Sequence, residues 1–486
     1  MTSDTNARPL AVAGATVIDG NGGAPIKEGV IVIERGRITT VGGRGTPVPA
    51  NARKIDARGK FVIPGLMNAN VHLFGVLLTL ERLARHLVNP EEIIIEGAQV
   101  ALKNGLTTVF DTWGPRRFLM NVRDQINAGK VIGSRFYCAG NIIGFDGPLS
   151  ADFMTKAPEA VSSLFAKRVN SIFVENVGRH LMWLTPDGVA KEVRAYIAKG
   201  IDFIKYGSNE HYWASAGAFL AFSHRQQAAM VEVAHSAGVT AQAHSMSVEG
   251  LHLAVEAGCD LVTHCNVTGP THIPDETLEL MAKRKTGAVI FPQTDKQMGW
   301  IKENVSDIEW TLWKSTDINA RNLIKSSAPL MLANDGIIWP PEVKADPWLK
   351  KSWVSAPEEQ NMGSLANGHF FWFRAMEEKG CPPMAMLQAA TKNIAVAYKK
   401  DKDLGTLEKG KIADLVVLDK DPLQAAENYR SIQMVLKDGA IVDRDALPEK
   451  PILSGPLEPP AEEEASYVDA IPSGLRLPMC PMCMCR

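Results

Sequence analysis

Apolar and polar residues alternate over short stretches at both ends of this chain, and apolar residues gather into short solid runs through its middle. Near the start, Ala11–Ile18 is closed by the turn-forming run Asp19-Gly20-Asn21-Gly22-Gly23. Gly29–Glu34 then leads through Arg35-Gly36 into Arg37–Val41, the pattern of a β-hairpin. A related texture returns at Leu415–Leu418 and Gln433–Lys437, followed by Asp438-Gly439 and Ala440–Asp443. Two distant groups of small antiparallel strands predict one β-sandwich built from both chain ends.

The middle reads differently. Leu66–Ala69, Leu106–Phe110, Arg135–Ala139, Phe203–Tyr206, Val239–Ala243, Asp260–Thr263, Ala288–Phe291 and Leu330–Ala333 are eight short apolar strands with helical spacing between them. Asn89 before Pro90 predicts an N-cap; Ile93, Ile94, Ala98, Ala101 and Leu102 fall on one face, and Gly105 stops the helix. Ser223-x-x-Gln226 is a capping box before a helix that stops at Gly238, and Val248–Ala257 stops at Gly258. This alternation predicts an α/β fold, a (β/α)8 TIM barrel with insertions, in preference to an open sheet. No Gly-x-Gly-x-x-Gly or Walker loop follows a strand, which weakens a nucleotide-binding reading. The expected division is 1–65 for the first part of the sandwich, 66–390 for the barrel, 391–448 for the second part, and 449–486 for a Pro- and Glu-rich extended or disordered tail.

Bulk properties narrow the picture a little. The 486 residues are 45% hydrophobic and 22% charged, ordinary for a globular protein, and a net charge of −2 gives no reason to expect nucleic acid or an anionic membrane as partner. The first residues lack the apolar core of a signal peptide, and no run approaches the roughly 18–20 apolar residues of a membrane span. A cytoplasmic protein is expected. Cys138, Cys259, Cys265 and Cys381 sit among apolar neighbours and read as buried free thiols. Cys480, Cys483 and Cys485 interleave with Met479, Met482 and Met484 at the end, as soft metal ligands or an oxidisable tail.

The candidate chemistry lies where the barrel strands end. The segment FVIPGLMNANVH breaks at Pro64-Gly65 and ends in Asn70-x-His72, whose spacing puts both side chains on one face of a strand. The later strands deliver Lys205 in DFIKYG, His244 in TAQAHS, His264 in LVTHC and Asp335 in MLANDG. One histidine at a strand end is more often a hydrogen-bonded structural residue; six such groups at successive strand ends, in a chain with 11 histidines, point to one mouth. Imidazoles and a carboxylate suit zinc, cobalt, manganese or iron, whereas the neutral amide of Asn70 is a poor first ligand. A bound ion generates hydroxide near neutral pH, and Asp335 is placed to carry its proton to a leaving amine. A lysine in such a set makes sense deprotonated or carboxylated, Lys205 then being a carbamate that bridges two ions.

These motifs resemble the amidohydrolase superfamily over nearly the whole chain: VIPGLMNANVH, NGLTTVFDTWG, and the stretch from Ala390 to Leu423, ATKNIAVAYKKDKDLGTLEKGKIADLVVLDKDPL. The resemblance implies Asn70 and His72 at a first metal, Lys205 as carboxylated bridge, His244 and His264 at a second, and Asp335 as ligand and general base. Asn70 departs from the family's first histidine. An Asn-x-His version is similar to that of a branch containing bacterial phenylurea hydrolases and molinate hydrolase. That likeness implies a metal-dependent enzyme that cleaves the urea C–N bond of phenylureas such as diuron or linuron, giving a substituted aniline and a carbamic acid. It implies one or two divalent ions per chain, zinc first among them, and a homo-oligomer. His211, Tyr212, Trp113 and Trp339 are the expected contacts for an aryl urea. Thiocarbamates, dipeptides and cyclic imidazolones are alternative substrates, and a metal-free binding protein of the same fold is the alternative of another class.

Overall fold

The alternation at the start of the chain produces β1 (Leu10–Val17) and β2 (Ile26–Glu34), which pair antiparallel, and β3 (Arg37–Gly42) beyond a tight turn. Arg35 and Gly36 have φ of 49° and 76°, the left-handed pair of a two-residue hairpin whose twist matches its strands. β4 (Arg53–Asp56) and β5 (Phe61–Pro64) run parallel to β1. The computed structural model describes residues 8–75, 80–86, 89–153, 161–210, 219–344 and 361–457.

One residue past Pro64 the chain enters another sheet. Gly65 sits at that junction, its N–H donating to Asp414 O at 2.9 Å, and a Cβ there would overlap the Thr107 side chain. The missing side chain is what lets the two sheets approach.

β6 (Leu66–Val71), β7 (Leu106–Asp111) and β8 (Arg135–Cys138) form one parallel sheet. β9 (Ile142–Ile143), β10 (Phe203–Gly207), β11 (Thr240–His244), β12 (Leu261–Thr263), β13 (Gly287–Ile290) and β14 (Leu330–Leu332) form a second, in sequential order. β8 and β9 act as one barrel strand in two pieces: β8 pairs with β7, and β9 pairs with β10. At the other seam Val71 bridges Gly336, and the His72 N–H donates to Gly336 O at 2.9 Å. The arrangement is that of an α/β barrel of the TIM type. Strands β6, β7, β10 and β11 are buried at every position, as parallel strands covered by helices must be.

The helix signals work at most positions. Ser223 and Gln226 make both bonds of the capping box before the helix His224–Ser236. Asn89 precedes the helix Pro90–Lys103, but its side chain makes no capping bond. Pro90, with its preset φ, and the acidic Glu91 and Glu92 near the helix dipole's positive end begin that helix instead.

β15 (Leu415–Leu418), β16 (Ile432–Lys437) and β17 (Ala440–Ile441) return to the first sheet, where β15 pairs antiparallel with β5. Both chain ends thus share one eight-stranded sheet around a small core that includes Val12, Val17, Ile31, Val62, Leu415, Val417 and Leu436, separate from the barrel core. Beyond β17 the chain straps the helix Pro90–Lys103: the buried Glu96 accepts from the N–H groups of Leu453 and Ser454 at 2.6 and 2.9 Å. Arg82, itself buried, joins Glu342 to the carbonyls of Ile452 and Gly455. Cys138, Cys259, Cys265 and Cys381 are buried free thiols, while Cys480, Cys483 and Cys485 lie outside the described residues. Among the described residues no helix is long and apolar enough to cross a membrane.

Candidate active site

The strand-end rule places the candidates at one end of the barrel. Asn70 lies in β6, His72 just past it, Lys205 within β10 and His244 at the end of β11. His264 follows β12, and Asp335 lies shortly after β14. Both of the last two have left-handed backbones, φ 37° and 47°, a conformation that costs energy for residues with a Cβ and that collects at functional sites.

Asn70 is the hub of a buried polar chain. Its Nδ2 donates to Asp335 Oδ1, and its Oδ1 accepts from the hydroxyl of Thr112. Lys205 Nζ donates to Thr112 Oγ1 at 3.0 Å and lies 3.4 Å from Asn70 Oδ1. Across the barrel seam, His72 Nε2 stands 3.7 Å from Asp335 Oδ1, an ion-pair distance rather than a hydrogen bond. The rings of His244 and His264 meet edge to face with centroids 4.6 Å apart, and His264 Nδ1 is held by Ser245 O at 3.0 Å, which leaves Nε2 as the ring's other nitrogen.

Burial sets the charges. It pushes His264 down to about 4 and holds His72 below the usual imidazole range, so both rings are neutral at pH 7. It also pulls Lys205 down to about 8, against the opposing pull of Asp335 and Asp111. For Asp335 burial alone would raise the carboxyl, but His72, His264 and Lys205 together outweigh it and keep the group ionised well below the ordinary range. Asp111, buried at the end of β7 with Oδ2 on the Leu73 N–H at 2.7 Å, is driven up to about 8 by the same burial.

In kind, neutral imidazoles with an ionised carboxylate fit a borderline divalent ion. In position the side chains stand as two pairs, His72 with Asp335 and His244 with His264. Among the described residues no three His, Cys, Asp or Glu side chains are grouped closely enough to hold one ion. The donor chemistry fits a metal; His72, His244, His264 and Asp335 are the groups that would hold it.

An aromatic wall adjoins these pairs. Trp113 meets His72 edge to face at 6.2 Å and stacks on Phe153 at 3.8 Å, while Phe145 meets His244 at 5.5 Å. Trp113 Nε1 donates to Asn141 Oδ1 at 3.0 Å, and Asn141 Nδ2 donates to Phe145 O at 2.7 Å, so one amide ties the two rings' loops together. Of the expected substrate contacts, Trp113 is thus beside the candidates and Trp339 is buried in the segment after Asp335. His211 and Tyr212 lie outside the described residues.

Thr112, Asp111 and Asn141 were not expected. The first two follow directly from the strand-end rule applied to β7, which ends at Asp111 with Thr112 the next residue.

A family model described as the amidohydrolase family matches residues 61–442. Among solved structures, phenylurea hydrolase B superposes with a TM-score of 0.86 at 36% identity, covering 93% of this chain and 100% of that one. Molinate hydrolase superposes with a TM-score of 0.85 at 35% identity, covering 94% of this chain and 98% of that one. By sequence, 161 residues are 32% identical to a 5-methylthioadenosine/S-adenosylhomocysteine deaminase of Symbiobacterium thermophilum, a match that spans 29% of this chain and only 36% of that enzyme.

Proposed function

Because the chain belongs to the amidohydrolase family and is a hydrolase acting on C–N bonds, we propose that its substrate is a phenylurea of the diuron or linuron type. The observation that carries this reading is the buried aromatic cluster of Trp113 and Phe153 packed against His72, an apolar surround of the kind an aryl ring needs beside the polar groups. The likeness to phenylurea hydrolase B over nearly the whole of both chains supports it.

The family generally binds divalent metals, and such an ion, when bound, polarises a carbonyl and makes water acidic enough to attack it. His72, His244, His264 and Asp335 would hold it, with zinc as first choice, cobalt, manganese or iron as substitutes, and Lys205 carboxylated. The residues' own work is then of three kinds. The Trp113 face orients the aryl group. Asp335, ionised and unable to donate, accepts the proton of the attacking water at a carboxylate oxygen and returns it to the aniline nitrogen as the C–N bond breaks. Asn70, on the same carboxylate, keeps it from swinging away. A substituted aniline and a carbamic acid leave, and the latter decomposes to an amine and CO2. The sheet shared by both chain ends is taken as the small sandwich domain flanking the barrel of residues 66–390, in a cytoplasmic homo-oligomer.

Molinate hydrolase superposes about equally well, so a thiocarbamate is the second reading. Purified protein incubated separately with linuron, molinate and an N-acyl dipeptide decides between them by chromatography. Release of a chlorinated aniline from linuron is expected; amine release from molinate alone would replace the phenylurea reading, and release from none would remove both.

A further inference from the structure

We propose that Thr112 is a positioning residue that locks the Asn70 amide, so that Asn70 serves as a donor to Asp335 and not as a metal ligand. This deepens the reading of Asp335 given above and rests on it for its catalytic consequence alone.

Thr112 is fully buried, and its N–H donates to Val71 O at 3.1 Å, which seats it beside the end of β6. A hydroxyl has one proton and two lone pairs. Here the proton goes to Asn70 Oδ1, and a lone pair takes Lys205 Nζ at 3.0 Å. Lys205 Nζ also approaches Asn70 Oδ1, at 3.4 Å. One end of the amide therefore faces the Thr112 hydroxyl and Lys205 Nζ, and the other faces Asp335 Oδ1. Only one orientation satisfies both ends: oxygen toward Thr112 and Lys205, NH2 toward Asp335. The flipped amide would set its NH2 toward the Lys205 amine, leave the Thr112 hydroxyl proton without its acceptor, and put its oxygen against a carboxylate.

The consequence for ligation follows from counting. An asparagine ligates through its carbonyl oxygen, and both lone pairs of Asn70 Oδ1 already face donors. Carboxylation of Lys205 leaves one N–H on its nitrogen, which suffices for the Thr112 bond but gives up the contact with Asn70 Oδ1. The Thr112 and Asp335 bonds still orient the amide in either state of the lysine, whereas both lone pairs of its oxygen are engaged only with the free amine.

Four full-length variants as purified test this: T112V, T112S, N70A and T112V/N70A. Thermal unfolding needs neither substrate nor metal. T112V and N70A should each lower Tm, and the double variant should fall no further than the worse single one; fully additive losses would overturn the lock. Elemental analysis and the visible spectrum of the cobalt-substituted protein read the ligand question. N70A should keep the wild-type ion count and spectrum, and loss of an ion or a shifted spectrum would make Asn70 a ligand after all. On a hydrolysed urea, T112V should lose about tenfold in kcat with KM within about twofold, and T112S should recover most of it; unchanged kcat in T112V would also count against the lock. If no urea is hydrolysed the proposed substrate fails, while the unfolding and metal measurements still decide the role of Thr112.

Discussion

His72 and Asp335 face each other across the closing seam of the barrel, Nε2 to Oδ1 at 3.7 Å. They come from the first and last barrel strands, and the bridge between Val71 and Gly336 is what brings them together. Their shared burial acts on them in opposite senses. It strips His72 of its proton, and the remaining positive surroundings keep Asp335 without one. A neutral ring and an ionised carboxylate at contact distance give an acceptor for a proton at neutral pH with no other acid needed to create it.

Replacing Asp335 with asparagine keeps the shape and removes the acceptor. Asp335→Asn should lower kcat by about two to four orders of magnitude, the usual worth of a general base, while metal content, supported also by His72, His244 and His264, should fall far less than turnover. Steady-state kinetics with elemental analysis check both numbers. Undiminished turnover would take the proton-carrying role away from Asp335.

Trp113 offers a different readout, since its ring meets His72 in a T-shaped contact and no titration is involved. Trp113→Leu should raise KM for a phenylurea about five- to tenfold, the worth of an aromatic stacking contact plus some buried area. A thiocarbamate without an aryl group should show little change. Equal effects on both would make Trp113 a packing residue only.

His369 gives a prediction about acid stability, remote from the candidate site. It is completely buried, bonded through Nε2 to Asn104 O at 3.0 Å, and burial pushes it down to about 3. An unfolded histidine titrates near 6.5, so between these values the unfolded chain binds the extra proton and stability falls as pH falls. By pH 5 the loss is roughly 2 kcal/mol from this group alone. Urea unfolding of His369→Gln at pH 7, 6 and 5 should show a flatter decline than wild type, whatever the cost at pH 7. Parallel declines would mean that other groups dominate.

The strands were legible because each carries a local pattern, and the eight apolar runs lie within a residue or two of β6–β8 and β10–β14. β9 was not, because Ile142–Ile143 is two residues long and is a strand only through its pairing with β10. Asn89 looked like a cap because its type and position were right, yet Pro90 and the acidic first turn suffice without its side chain. The placement of Lys205, His244, His264 and Asp335 near one another followed from topology, once the barrel was assumed. The direction in which Asn70 points did not. It depends on Thr112, Lys205 and Asp335, all distant in sequence, and no spacing rule reaches that far. Thr112 hid for a related reason: a threonine beside a strand end reads as an ordinary β-branched residue until its hydroxyl has partners.

The junction between the two sheets yields a packing prediction. Gly65→Ala would drive a methyl group into Thr107, and overpacking of this kind costs about 1–3 kcal/mol. The double variant Gly65→Ala with Thr107→Ala should recover part of the loss by removing both the opposing hydroxyl and the opposing methyl. Chemical denaturation of the three proteins measures it, and a Gly65→Ala variant as stable as wild type would show that the junction relaxes freely.

The sheet shared by both chain ends also imposes a schedule on synthesis. When β5 leaves the ribosome its partner β15 does not yet exist, for the whole barrel must be translated first. Until then β5 has β1 on one side and an unpaired edge on the other, the kind of edge that recruits foreign strands. The barrel, by contrast, pairs neighbours in sequence everywhere but at the seam between β6 and the segment after β14, and most of it can form as it emerges. In a crowded cell, the long wait of the first five strands for the last three is the interval in which this chain is most exposed to aggregation, and the one a chaperone would most usefully cover.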